Sequence, residues 1–251
     1  MELQLIRNAT MRLGYNGRLL LLDPFLSPKH AIRSFAGISP NPTVDLPMLP
    51  GAVVADVAAV VVSHLHPDHF DEVAQAMLAK ELPLFCQPGD EGKIGAAGFT
   101  AVTPINDTLT WQGISITRTP AQHGTGQWAE RMGNVSGFIF RADGEPTIYW
   151  AGDTIWYEPV AHVIRREQPD IIITHSGGAH FGDNSVIVMD IEQTLAVCQF
   201  APQATVVAVH LEALDHCPTT RADLRAQATA SGIAASQLRI PADGETVLFG
   251  D

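Results

Sequence analysis

This chain of 251 residues is poor in cysteine, poor in positive charge and free of long apolar runs. Its three cysteines, Cys86, Cys198 and Cys217, form at most one bridge and show no C-x-x-C spacing, which excludes a disulfide-stapled scaffold. An odd thiol count fits a reducing compartment, and a cytoplasmic protein is expected. Only 15 Lys and Arg stand against 27 Asp and Glu, a formal net charge of −12. Such a surface repels phosphate backbones, so no nucleic-acid partner is expected. The longest apolar runs, such as residues 57–62, have the length of a strand, below the roughly 20 residues of a membrane helix, and no membrane association is expected. The opening Met1-Glu2-Leu3-Gln4 carries neither a basic nor a long apolar stretch, so no signal peptide is expected. Charged residues make up 17% of the chain and hydrophobic ones 46%, ample for a packed core, which excludes a disordered chain. No repeat, low-complexity tract or linker interrupts it, and a single domain spanning 1–251 is expected.

Strand-length segments cover residues 3–7, 10–14 and 18–23, with Asn16-Gly17 as the hairpin turn between the last two. Residues 27–52 are rich in Pro and Ser and show no period. They read as a long loop, either a lid or pocket wall or a plain surface excursion. Residues 58–63 form a continuous apolar run typical of a buried strand. Phe70, Val73, Ala74, Met77 and Leu78 then recur at helical spacing. Further strands are expected at 83–86, 113–119, 135–141, 147–151, 170–174, 205–210 and 246–249. Helices are expected at 158–166, 191–200 and 221–231, the last closed by Gly232. A strand-rich first half and an alternating second half suggest two sheets with helices outside.

One motif stands out, His64-x-His66-x-Asp68-His69, where the buried strand stops and the helix begins. Three imidazoles and a carboxylate within six residues are ligand chemistry, suited to Zn²⁺, Mn²⁺ or Fe²⁺. The competing reading is a charged helix-initiating loop with surface histidines. Pro67 restricts the backbone there, which helps to hold several ligands on one side of a loop. Two metals need more ligands, and His123, Asp153 and His210 each lie at or just past the end of an apolar run. Strand ends of this kind gather at one sheet edge in packed α/β folds.

This series resembles the metallo-β-lactamase superfamily over nearly the whole chain. Within it, Leu22-Asp23-Pro24-Phe25 and the spacing resemble the ascorbate-6-phosphate lactonase-like metal-dependent hydrolases. The resemblance implies an α/β fold, an αββα four-layer sandwich with metals at one sheet edge. It implies that His64, His66 and His123 bind one divalent ion and Asp68, His69 and His210 a second, with Asp153 bridging; Zn or Mn is the expected pair. Asn8 departs from the pattern, standing where many such relatives carry a histidine. The expected function is hydrolysis of a small-molecule ester, lactone or phosphoester by a metal-bridging hydroxide, since bound metal lowers the pKa of water towards 7. Asp68 is the catalytic candidate, taking a proton and returning it to the leaving group. A phosphodiesterase or nuclease on the same fold would need a basic groove, and Arg165-Arg166 is only a pair on a helix. A di-iron oxidoreductase would be expected to replace a motif histidine with an acid. A metal-binding, non-enzymatic sensor is the third alternative. The oligomeric state is open, a homo-oligomer included.

Other residues are candidates for substrate contact or for support of the ligands. Asp23 either orients a ligand histidine or caps a turn before Pro24. His175 and His180, in a glycine-rich stretch after a strand, either face the site or make loop hydrogen bonds. Glu212 and His216 either contact substrate or lie apart, and His216 is the rival of His210 as a ligand. Trp128 and Trp156 either wall the pocket or pack, while Trp150 reads as core. Segment 122–133 is either a mobile loop over the metals or a wide hairpin. Cys217 is expected to be a buried thiol, and His30 and His162 to lie on the surface.

Overall fold

The computed structural model describes residues 1–182 and 185–250. The chain opens with β1 (Glu2–Arg7), β2 (Thr10–Tyr15) and β3 (Arg18–Leu22). Then follow α1 (Pro50–Val54), β4 (Ala59–Val62), α2 (Glu72–Met77), β5 (Leu84–Cys86), α3 (Glu91–Ala96) and β6 (Val102–Pro104). Next come β7 (Thr108–Trp111), β8 (Ile114–Pro120), α4 (Gln127–Met132), β9 (Ser136–Arg141) and β10 (Ile148–Trp150). The last elements are α5 (Glu158–Glu167), β11 (Ile171–His175), α6 (Ile191–Phe200), β12 (Thr205–Val209), α7 (Arg221–Ala230), β13 (Leu238–Arg239) and β14 (Thr246–Leu248).

The strands form two seven-stranded sheets, ordered β14-β1-β2-β3-β4-β5-β6 and β13-β12-β11-β10-β9-β8-β7. In each sheet an antiparallel meander passes into parallel pairing, at β3–β4 in the first and at β10–β11 in the second. The period-2 alternation of strand side chains explains how the sheets stack. Leu20, Leu22 and Val61 of the first sheet meet Phe138, Trp150, Ile173 and Val207 of the second in a shared core. The intervening Leu21, Val60 and Val62 face outwards, where Val53, Ala74 and Ile94 of α1, α2 and α3 cover them. Tyr149, Ile172 and Val206 face outwards on the other side, under Val163, Val197 and Leu224 of α5, α6 and α7. The result is the αββα sandwich, each layer burying the apolar face of the next.

Several elements depart from the sequence-based expectation. Segment 122–133, expected as a loop or hairpin, holds α4, which buries none of its residues and so shows no apolar stripe. Helix α1 begins inside the expected 27–52 loop, with Pro50 in its first turn, where a missing N–H costs nothing. Strands β6 and β7 are short and half-exposed, so they carry little hydrophobic signal. The Trp150 side chain is core, and His30 and His162 are exposed, as their positions suggested. Among the described residues no helix is long and apolar enough to cross a membrane.

Candidate metal centre

Strand β4 delivers the motif to the edge of the sandwich. The backbone N–H groups of His69 and Phe70 both donate to the carbonyl of His66, winding the loop into a tight turn. Asp71 closes it as the N-cap of α2, accepting from the Ala74 N–H at 2.8 Å. The same carboxylate accepts from the N–H groups of Leu26 and Ser27, tying the loop to the segment after β3.

The parallel strands β10, β11 and β12 end at this edge, bringing Asp153, His175 and His210. Strand β8 runs the same way as β10, since each is antiparallel to β9, and it delivers His123. Gly152 makes the approach of Asp153 possible: its φ is +69°, and a Cβ there would stand 2.6 Å from the Ser136 carbonyl oxygen. All of these side chains except His66 are buried.

Asp153 sits at the centre. Its Oδ2 lies 3.2 Å from His69 Nε2, 3.3 Å from His123 Nε2 and 3.8 Å from His64 Nε2. Asp68 Oδ2 lies 3.4 Å from His69 Nε2 and 3.3 Å from His210 Nε2. His64 Nε2 and His66 Nδ1 are 2.9 Å apart. Two ligands about 2.0–2.1 Å from a tetrahedral ion stand about 3.3 Å apart, so these separations match atoms sharing a cation. Two overlapping donor groups result, His64–His66–His123–Asp153 and His69–Asp153–His175–His210. The buried Nε2 atoms of His69 and His210 have no hydrogen-bond partner, which leaves two nitrogens available to divalent ions.

The atoms behind the donors set their tautomers. Asp23 is fully buried; its Oδ1 accepts from the Ser63 N–H at 2.7 Å, and its Oδ2 accepts from the Ser63 hydroxyl and from His69 Nδ1, each at 2.6 Å. With its proton given to Asp23, Ser63 Oγ accepts from His64 Nδ1 at 2.9 Å. One carboxylate thereby keeps the Nδ1 side of both His64 and His69 occupied and turns Nε2 inwards as the nitrogen open to a cation. His123 Nδ1 donates to the Ile187 carbonyl at 2.7 Å, with the same effect on its Nε2. Asn8 donates from Nδ2 to the Asp68 carbonyl at 3.1 Å and to its Oδ2 at 3.4 Å, so it steadies the carboxylate.

Charge is balanced inside the cluster. Burial alone would lift the carboxyls of Asp153 and Asp68, but the surrounding histidines, His69 foremost, hold both well below the usual range. Burial works against charge on His69 and His210, yet Asp153 together with Asp68 pushes both well above the ordinary imidazole value. Burial pushes His64 down, and His123 to about 4.

Beside the cluster lies a cavity of about 180 Å³, walled by Phe35, Met132, Phe181 and Ile187, with Arg33 and His216 among its linings. The His216 ring stacks on Phe181 at 5.2 Å and meets Phe35 edge-on at 5.2 Å, and Trp128 stacks behind Phe181 at 5.1 Å. The segment bearing Arg33 and Phe35 belongs to the 27–52 loop, so that loop reaches the cavity wall. Asp215 anchors it by accepting from the Phe35 N–H at 3.0 Å and from Asn41 Nδ2 at 2.9 Å, and from the Ser34 hydroxyl. A polar cavity of about 350 Å³, lined by Gln87, Asp90, Lys93 and Asn134, adjoins His64 and His66 on another side.

The seven residues of the expected ligand series converge. Asp23 lies behind His69, with its Oδ2 2.6 Å from Nδ1 of that ring. Trp156 does not wall the cavity: its ring packs on Phe200, 5.3 Å away, over the outer helices. Glu212 is likewise turned aside, its carboxylate bound to Arg221. His180 donates its N–H to the His216 carbonyl, and its neighbour Phe181 supplies the wall instead. His216 lines the cavity but belongs to neither donor group. Cys217 is a buried thiol 3.7 Å from His210 Nδ1. Phe35, Phe181 and Ile187 in loops and Met132 at the end of α4 went unnoticed in the sequence, because single apolar residues outside an apolar stripe carry no periodic signal.

Residues 18–211 match the family described as Beta-lactamase superfamily domain. The chain is similar to the UPF0173 protein YddR of Bacillus subtilis, 34% identical over 99% of this chain and 100% of the relative. It is similar to the crystal structure of a possible metal-dependent hydrolase from Veillonella parvula, with 34% identity, 98% of each chain covered and a TM-score of 0.95. It is also similar to the isothiocyanate hydrolase from Delia radicum gut bacteria, with 37% identity, 99% of each chain covered and a TM-score of 0.92.

Proposed function

Because this chain belongs to the β-lactamase superfamily, we propose that it is a metal-dependent hydrolase of small, largely apolar electrophiles, working with two divalent ions. The observation that carries this reading is the Asp153 carboxylate standing between two groups of inward-facing imidazoles beside an apolar cavity. His64, His66 and His123 would hold one ion, Asp68, His69 and His210 the other, with Asp153 shared. A nitrogen-rich donor set favours zinc, with manganese the alternative. When bound, such ions supply Lewis acidity and lower the pKa of water enough for attack at neutral pH.

The protein's own groups then have separate tasks. Asp68, exposed to the cavity and steadied by Asn8, is placed to hold the proton released by water and return it to the leaving group. Phe35, Phe181, Met132 and Ile187 exclude solvent and hold the apolar body of the substrate. One arginine, Arg33, is the cation among the linings, a poor match for a dianionic phosphoester and a better one for a neutral group. An ester or lactone fits that description. So does an isothiocyanate, R–N=C=S, whose central carbon is the electrophile, and the similarity to an isothiocyanate hydrolase supports this choice. The buried free thiols fit a cytoplasmic protein.

The test is a panel containing phenethyl isothiocyanate, an aryl ester, a lactone and a phosphodiester, assayed with zinc- and with manganese-loaded protein. Turnover of a neutral electrophile, abolished by a chelator and restored by metal, is expected. Fewer than about one divalent ion per chain after careful reconstitution would overturn the proposal.

A further inference from the structure

His175 offers a nitrogen to the second donor group, yet its hydrogen bonds give it a different task. The ring is fully buried and both nitrogens are engaged. The indole N–H of Trp150 donates to His175 Nε2 at 3.0 Å. An indole N–H is a donor only, so Nε2 has to be the unprotonated nitrogen and the proton lies on Nδ1. Nδ1 in turn stands 2.5 Å from Asp153 Oδ1. Trp150 itself is fixed, buried in the shared core beside Phe138. A cation on Nδ1 would force the ring proton onto Nε2, against the indole N–H, leaving two donors face to face.

We propose that His175 is a positioning residue for Asp153 and not a metal ligand: Trp150 sets its tautomer, and its Nδ1–H occupies Oδ1 of Asp153, leaving Oδ2 to be the oxygen that faces the cations. This inference rests on the two-metal reading above. The partition of the carboxylate supports it. Oδ2 lies 3.2 Å and 3.3 Å from the nitrogens of His69 and His123, whereas Oδ1 is 2.5 Å from His175 and 3.8 Å from His210. Held on Oδ1 by a fixed donor, the carboxylate is restrained from rotating about its Cβ–Cγ bond, which keeps Oδ2 towards His69 and His123. The role runs from the core of the sandwich, through Trp150, to the residue shared by the two ions.

Two measurements test this. Long-range ¹H–¹⁵N correlation spectra report which ring nitrogen of His175 carries the proton, in metal-free and in zinc-loaded protein. A protonated Nδ1 and bare Nε2 in both states are expected; a bare Nδ1 in either state would overturn the proposal. Zinc affinity, read by competition with a chromophoric chelator, is compared in wild type, His175→Leu and His175→Asn. The leucine variant fills the volume without a donor and is expected to bind zinc about 10- to 100-fold more weakly. The asparagine amide places an N–H where Nδ1 was and is expected to recover most of that loss. Equal affinity in all three proteins refutes the role. If wild type binds no zinc, the hydrolase reading fails, while the spectrum of the metal-free protein still decides the tautomer. If His175→Leu does not fold, the wild-type spectra carry the test.

Discussion

Replacing Asp23 by asparagine tests how far the tautomers of the centre depend on one buried carboxylate. The wild-type group accepts three hydrogen bonds, from the Ser63 N–H, the Ser63 hydroxyl and His69 Nδ1. An amide of the same shape has one oxygen and one NH₂, so one of the two positions must become a donor. Turned towards the Ser63 N–H, the NH₂ meets another donor. Turned the other way, it donates to His69 Nδ1 and Ser63 Oγ. The His69 proton then moves to Nε2, and the Ser63 hydroxyl turns to His64 Nδ1, moving that proton inwards as well. Both donor groups lose a lone pair. Loss of such a supporting partner weakens metal binding by about 10- to 100-fold, or about 1.4–2.7 kcal/mol per site. The assay is zinc competition against a chromophoric chelator, with the exposed Asp45→Asn as the charge control. The metal-free variant should retain its fold, because volume is conserved, with a loss of about 1.5–3 kcal/mol from the charged hydrogen bonds, read by urea unfolding. Two zinc ions held by Asp23→Asn within about threefold of wild type would refute the reasoning.

Three other outcomes are expected. His69 and His210 have raised pKa values in the metal-free protein, so zinc binding near pH 7 should expel protons and tighten as pH rises; calorimetry in buffers of different ionisation heat would show no proton release if this is wrong. Gly152→Ala combines a positive φ with a Cβ 2.6 Å from a backbone oxygen, and should cost about 2 kcal/mol or more in urea unfolding while weakening zinc binding through Asp153; an undisturbed zinc affinity would break the link between that turn and the site. Asp215→Ala releases the segment bearing Phe35 and should raise KM more than it lowers kcat. Hydrogen bonds from Ser34 and Asn41 overcome burial and hold the Asp215 carboxyl well below its usual value, so this anchor persists above the unfolded pKa near 4 and fails only as pH falls through the folded value; a KM that rises between pH 7 and 5 would contradict it.

Much of the strand framework was legible because the central strands alternate between two apolar surfaces, as Leu20, Leu21 and Leu22 do between the shared core and the outer helices. Helix α4 was not, because it buries nothing and is bounded by Gly126 and Gly133 rather than by a hydrophobic stripe. The metal motif was legible for a local reason: four donors within six residues at a strand end need no tertiary information to be brought close. His123, Asp153 and His210 were legible by placement alone, each at the end of an apolar run. Trp156 and Glu212 show where that logic stops. They also follow strands, but Phe200 and Arg221 turn them away, and neither partner is visible from local pattern.

The amino-acid order therefore carried the donor chemistry and the edge at which it collects, since residue type and strand period are local properties. It could not carry which nitrogen of each imidazole bears the proton, nor which oxygen of Asp153 is left open. Those depend on partners 22, 46 and 64 positions away, His175 with Asp153, His69 with Asp23 and His123 with Ile187. Only the pairing of neighbouring strands within each sheet, and the loops folded over their ends, bring such pairs within hydrogen-bond reach, and a proton's location on a ring is set by what that ring touches.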